Sequence, residues 1–237
     1  MAADARKKPK FPWDYEVPNT AFWNDLSYAV GVGFLRCYSD AEISRMTFDE
    51  RLSTEDKLKY LLETLQTTFS EKEQEAAPTP LREADHSTWS RFQMGMSSLQ
   101  HSAGNTSAEE KLARERYENG PDGTKDLSAL HHLATIMEAT GRYAEGEAMA
   151  HEVLPWLEGH EKLGKDSPQA ISCMRILAAC TWKQKKYDEG EEWVDRCRST
   201  VDSLDTGKFA KYKVAEVKQV DDMIAELEDW KKEHGGP

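Results

Sequence analysis

Apolar residues recur along this chain at intervals of three and four, in blocks separated by short polar or Gly- and Pro-containing breaks, and nearly every block has the period of a helix. In the first block Phe22, Trp23, Leu26, Val30, Phe34 and Cys37 share one side, which predicts a helix with Thr20 as its N-cap. Ser39-Asp40 is expected to cap a short helix through Ile43 and Met46. Ser53-Thr54-Glu55-Asp56 opens a longer one with Leu58, Leu61, Leu62, Leu65 and Phe69 on its buried face. Ala76-Ala77-Pro78-Thr79-Pro80 then breaks the chain and is the expected boundary between regions. From Leu81 a helix is predicted through Trp89, Phe92, Met96 and Leu99. Gly104-Asn105 turns it, and Ser107-Ala108-Glu109-Glu110 starts another through Leu112, Ala113 and Tyr117. Near the end, Val217, Val220, Ile224 and Leu227 form a stripe with charged residues opposite, the pattern of a terminal helix with one wet face.

Between these blocks the chain repeats itself. Leu130-His131-His132-Leu133-Ala134 followed by Gly141-Arg142-Tyr143-Ala144-Glu145-Gly146-Glu147 matches Met174-Arg175-Ile176-Leu177-Ala178 followed by Lys185-Lys186-Tyr187-Asp188-Glu189-Gly190-Glu191, at a constant offset of 44. Such a unit cannot bury its own apolar face and must stack on a neighbour. Each copy predicts two antiparallel helices. Small Ala134 and Ala178 let them approach, and Tyr143 and Tyr187 supply a stiff apolar body between them.

The Leu-Ala pairs, the two tyrosine-centred turns and the connector Lys162-Leu163-Gly164-Lys165-Asp166-Ser167-Pro168 resemble the tetratricopeptide repeat, and more closely its kinesin-light-chain-like variant. The match covers residues 126–204. Gly146 and Gly190 depart from it, standing where the family usually has Ala, and Pro155 is expected to interrupt a second helix. The resemblance implies an all-α fold, with helix hairpins stacked in a right-handed superhelix and closed by a C-terminal capping helix. The division expected is an extended segment over 1–19, a helical region over 20–80, and the repeat domain over 81–237. It further implies a concave side lined by the first helix of each repeat. On this sequence that face carries Ser128, His131, Thr135 and Glu138, then Ser172, Arg175, Ala179, Trp182 and Lys183. Arg175 and Lys183 would hold a carboxylate and Trp182 would be an apolar anchor; the alternative, of equal weight, has Trp182 packed on the neighbouring helix and the two cations as ordinary surface.

With 43 acidic against 31 basic residues the net charge is −12, which disfavours phosphate backbones and anionic lipid. No nucleic-acid or membrane partner is expected, and no run approaches the ~18 apolar residues of a membrane span. Arg6-Lys7-Lys8-Pro9-Lys10 reads as a solvated tail, with nuclear import as the alternative to a cytoplasmic location. Cys37, Cys173, Cys180 and Cys197 contain no C-x-x-C and read as small apolar residues of a reducing compartment.

Catalytic patterns are missing: there is no H-E-x-x-H, no zinc spacing, and no Gly-x-Ser-x-Gly elbow. Gly31-Val32-Gly33 lacks the rest of a phosphate loop and fits close helix contact better. No cofactor or metal is expected. The leading expectation is a non-enzymatic module that binds a peptide or protein segment in its groove. A second reading has the aromatic N-terminal helices covering the groove to enclose a small molecule, with His131 and Glu138 as general acid and base. Self-association into a homodimer is the third.

Overall fold

The computed structural model of the protein describes residues 15–234. Among them every regular element is helical and there is no strand. The α-helices are α1 (Ala21–Asn24), α2 (Tyr28–Leu35), α3 (Asp40–Ile43), α4 (Thr54–Ala76), α5 (Leu81–Ala84), α6 (His86–Ser102), α7 (Thr106–Glu118), α8 (Leu127–Ala139), α9 (Tyr143–Gly159), α10 (Pro168–Lys183), α11 (Tyr187–Asp202) and α12 (Lys213–Glu233). The basic patch at 6–10 and the aromatic Phe11-Pro12-Trp13 lie outside the described residues. Residues 15–19 have no regular structure.

Two compact units divide the chain, Met1–Pro121 and Asp122–Pro237. The boundary expected at Ala76–Pro80 therefore falls inside the first unit. The physical reason is the packing of α6, whose Phe92, Met96 and Leu99 share one core with Phe22 and Phe34 of the first two helices and with Leu61 and Leu65 of α4. That core is aromatic: Phe48 stands with its ring centroid 5.0 Å from both Phe22 and Trp23. At the α2–α6 crossing a Cβ on Gly95 would lie 2.7 Å from the Gly33 carbonyl oxygen, so the two backbones touch because neither residue has a side chain. Gly33 is thus a helix-contact glycine, whereas Gly31 makes room for Val17 of the extended segment.

The helix expected from Thr20 to Cys37 is instead two. Ser27, in extended conformation, accepts a hydrogen bond from the Val30 N–H and caps α2. Lys57 of α4, its side chain fully buried, donates to the Ala21 carbonyl at 3.2 Å and to Asp25 at 2.6 Å, satisfying groups that the break leaves open. Ser39 and Glu42 form a capping box on α3, and Ser53 caps α4, as the sequence predicts.

In the second unit α8 pairs with α9 and α10 with α11, and α10 also packs against α8, α9 and α12. The two hairpin turns are the same turn. Gly141 (φ +77°) and Lys185 (φ +63°) each take the left-handed conformation, and the next residue donates back five positions: Arg142 to Met137 at 2.8 Å, Lys186 to Thr181 at 3.0 Å. Gly104 ends α6 in the same way, with Asn105 donating to Gln100.

Both second-helix glycines sit where their neighbours leave no room. A Cβ on Gly146 would be 3.0 Å from Cys180 Sγ and 3.3 Å from the Ala134 carbonyl oxygen; one on Gly190 would be 3.0 Å from the Trp182 ring. The expected disturbance at these glycines is thus a close fit. Pro155 does not interrupt α9, which runs from Tyr143 to Gly159. Pro155 and His151 are both exposed, so the carbonyl that loses its helical partner is on the wet side.

Candidate functional site

The repeat face of the second unit ends in a depression of about 290 Å³ between α8, α10 and α12. Six of the nine residues singled out in the sequence line it: Thr135 and Glu138 from α8, and Ser172, Arg175, Ala179 and Lys183 from α10. They converge because Thr135 and Glu138, three apart, share one face of α8. Residues 172, 175, 179 and 183, at three- and four-residue steps, share one face of α10. The floor is apolar, made by Ile176 and Ala179 with Met223 and Leu227 of α12.

Charge in this depression is organised in pairs. Lys183 Nζ donates to Glu138 Oε1 at 2.6 Å, bridging the two hairpins, and also stands 5.4 Å from the Tyr143 ring centroid. Burial works against the Lys183 ammonium, but the Glu138 hydrogen bond and charge outweigh it and raise its pKa. Arg175 Nη1 donates to Glu216 Oε2 at 3.4 Å. Both members are largely buried: burial lowers the Arg175 pKa and raises that of Glu216, against the attraction between them. The expected role of Arg175 and Lys183 as free cations for a ligand carboxylate is therefore corrected. Each already holds a carboxylate from a neighbouring helix, and removing that partner would leave a charge poorly compensated.

Three residues of the predicted set lie elsewhere. Trp182 is 3% exposed and packs among α10, α11 and α12, its ring edge-on to Tyr187 at 5.6 Å and Lys231 over it at 5.5 Å. The physical reason is the glycine at 190, which opens a slot on α11 that the indole fills. Ser128 belongs to the helix start, where its N–H and hydroxyl both donate to Asp126 Oδ1. His131 is half-buried with its Nε2 sealed and unpartnered, and burial, with the His132 and Arg175 charges adding, pushes its imidazole down to about 4. Its ring is neutral at pH 7, and Glu138 is tied to Lys183, so neither stands as the acid and base of the enclosed-pocket reading. Of the aromatic residues that prompted that reading, Phe22, Trp23, Phe34, Tyr38 and Phe48 are taken up in the first unit's own core.

Sequence reasoning missed the α12 wall. Gln219, Asp222, Met223 and Glu226 line the depression, at three- and four-residue steps along one face. That spacing was the available signal, but Asp222 and Glu226 looked like the solvated side of a cap. Among the described residues the side chains of Ser172, Gln219 and Glu226 make no hydrogen bond to the protein. The depression thus offers a hydroxyl, an amide and a carboxylate above an apolar floor.

Among the described residues no group of three or more His, Cys, Asp or Glu could hold a metal ion, and no helix is long and apolar enough to cross a membrane. All four cysteines are buried and unpaired, and burial pushes each thiol up to about 12. No family model, curated protein or solved structure matches this chain.

Proposed function

We propose that the second unit is a short stack of tetratricopeptide-like, kinesin-light-chain-like repeats whose concave depression binds a peptide segment of another protein. The reading is carried by the convergence of six residues, chosen from one helix face of each repeat, on a single depression. The shared left-handed turns at Gly141 and Lys185 support the repeat assignment, because they recur at the 44-residue offset of the sequence match.

The lining selects the ligand's chemistry. With Arg175 and Lys183 neutralised by Glu216 and Glu138, the uncommitted charge is the Glu226 carboxylate, and Asp222 beside it is matched only by exposed Lys218. A ligand carboxylate would be repelled, whereas a Lys or Arg side chain is attracted. An apolar neighbour in the peptide would rest on Ile176, Ala179 and Met223, and its main chain would meet Ser172 and Gln219.

The test is to pan a random linear peptide library on the full chain and measure the enriched peptides by fluorescence polarisation. The expected peptides carry a basic residue next to an apolar one. Ser172→Trp, which fills the depression, and Glu226→Lys, which reverses its free charge, should each weaken them by at least about tenfold with the melting curve unchanged. Enriched peptides that bind both variants as tightly as the parent would remove the depression as the site.

A further inference from the structure

We propose that a second docking surface lies in the first unit, in the apolar trough between α2 and α6, and that its partner is an acidic amphipathic helix of another protein. The trough encloses about 270 Å³ and is lined by Tyr28 and Val32 of α2, by Arg36 at its C-cap, and by Arg91, Met94 and Ser98 of α6. Ala29 and Gly33 also line it, at the close crossing with α6.

Two independent observations point to a ligand and to its character. Of the three large hydrophobic side chains that are exposed among the described residues, Tyr28 (54%) and Met94 (40%) both line this trough. Apolar surface gathered this way, while the aromatic core lies behind it, marks an interaction site more often than scattered exposure does. The second observation is charge. In a protein of net charge −12, the trough's charged residues are both arginines, Arg36 at the C-cap of α2 and Arg91 of α6. The Arg36 guanidinium has no ion-pair or hydrogen-bond partner among the described residues; Arg91 donates to the Thr88 hydroxyl, which in turn donates to Asp85. An acidic partner is repelled by the molecule as a whole and attracted here, where planar guanidiniums can take carboxylates with two parallel hydrogen bonds.

The shape favours a helix. The eight residues of α2 give a trough of about 12 Å, roughly two helical turns. A docked helix would place apolar residues at i, i+3 and i+7 along it, with Asp or Glu flanking them to reach Arg36 and Arg91. This surface is independent of the repeat depression and uses none of its residues.

A display library of amphipathic helices, panned on the full chain, tests the proposal. Selection should enrich helices with acids beside bulky apolar residues. The enriched peptides should lose at least about tenfold in affinity on Arg36→Ala/Arg91→Ala and on Met94→Glu, and keep their affinity on Ser172→Trp. Circular dichroism melting checks that the variants are folded, and Met94→Glu, at an exposed position, serves if the double variant is not. Three results would overturn it. The first is enriched helices that lack acids or are indifferent to both variants. Binding at least about tenfold tighter to the full chain carrying Phe11→Ala/Trp13→Ala than to the parent would make residues 1–14 the occupant. A parent that sediments as a dimer which Arg36→Ala/Arg91→Ala dissociates would make a second copy the occupant.

Discussion

Gly141 and Lys185 occupy the same place in successive hairpins and hold the same left-handed backbone, although only one of them is a glycine. For a lysine that conformation is strained, because Cβ crowds the following carbonyl. Lys185→Gly is therefore expected to stabilise the second unit by about 1 kcal/mol. The exposed hydrogen bond from Lys185 Nζ to the His234 carbonyl, at 3.3 Å, is a small loss against this. Urea unfolding measures it, and a midpoint that falls would mean the turn is held by the lysine side chain.

Contact between backbones at Gly33 and Gly95 makes the α2–α6 crossing intolerant of a single methyl. Gly95→Ala should cost about 2–3 kcal/mol, because the group it meets at 2.7 Å is a backbone oxygen that cannot rotate away. Gly159→Ala is the contrast. Nothing lies within 4 Å of its added Cβ and its φ is ordinary, so the change should be neutral or stabilising by up to about 1 kcal/mol. Equal effects from the two substitutions would contradict the close crossing.

Arg175 is expected to matter for stability more than for ligand capture. Arg175→Met leaves Glu216 buried without its cation and should destabilise by about 3 kcal/mol at pH 7, whereas Arg175→Met/Glu216→Met should recover most of that loss. The double-mutant cycle is read by denaturant titration. Additive single and double losses would mean that the pair does not interact across the α10–α12 contact.

His131 sets an acid limit. Its folded pKa of about 4 lies below the ordinary 6.5, so the unfolded chain binds the proton more readily. Its stabilising contribution is complete above pH 6.5 and declines as the pH falls towards 4, a loss on the order of 2–3 kcal/mol. His131→Leu should flatten that part of the curve, without changing the further loss from carboxylate protonation. Urea midpoints for parent and variant at pH 7 and pH 4.5 decide it: a parallel drop in both would place the ring in water.

The 44-residue echo, the caps at Ser39 and Ser53 and the stripes of Leu58, Leu61 and Leu65 or Val220 and Leu227 were all legible along the chain. Helical periodicity and capping are local, written in residues three or four apart. The same locality explains why one face of α8 and α10 could be chosen in advance and largely came together. It also explains where the reading went astray. The break at Ser27 depends on Lys57, thirty residues later, and the boundary at residue 121 depends on α6 choosing α2 and α4 as neighbours.

Pairing decided the rest. Arg175 and Lys183 looked like free cations because Glu216 and Glu138 lie 41 and 45 positions away, beyond any helical spacing. Trp182 looked like an anchor for a ligand until Gly190 of the next helix proved to be its slot. A sequence states which groups each helix presents on each face. Which of those groups find one another, and which are left for a partner, follows only when long-range packing brings the faces together, because burial and ion pairing depend on distance in space and not along the chain.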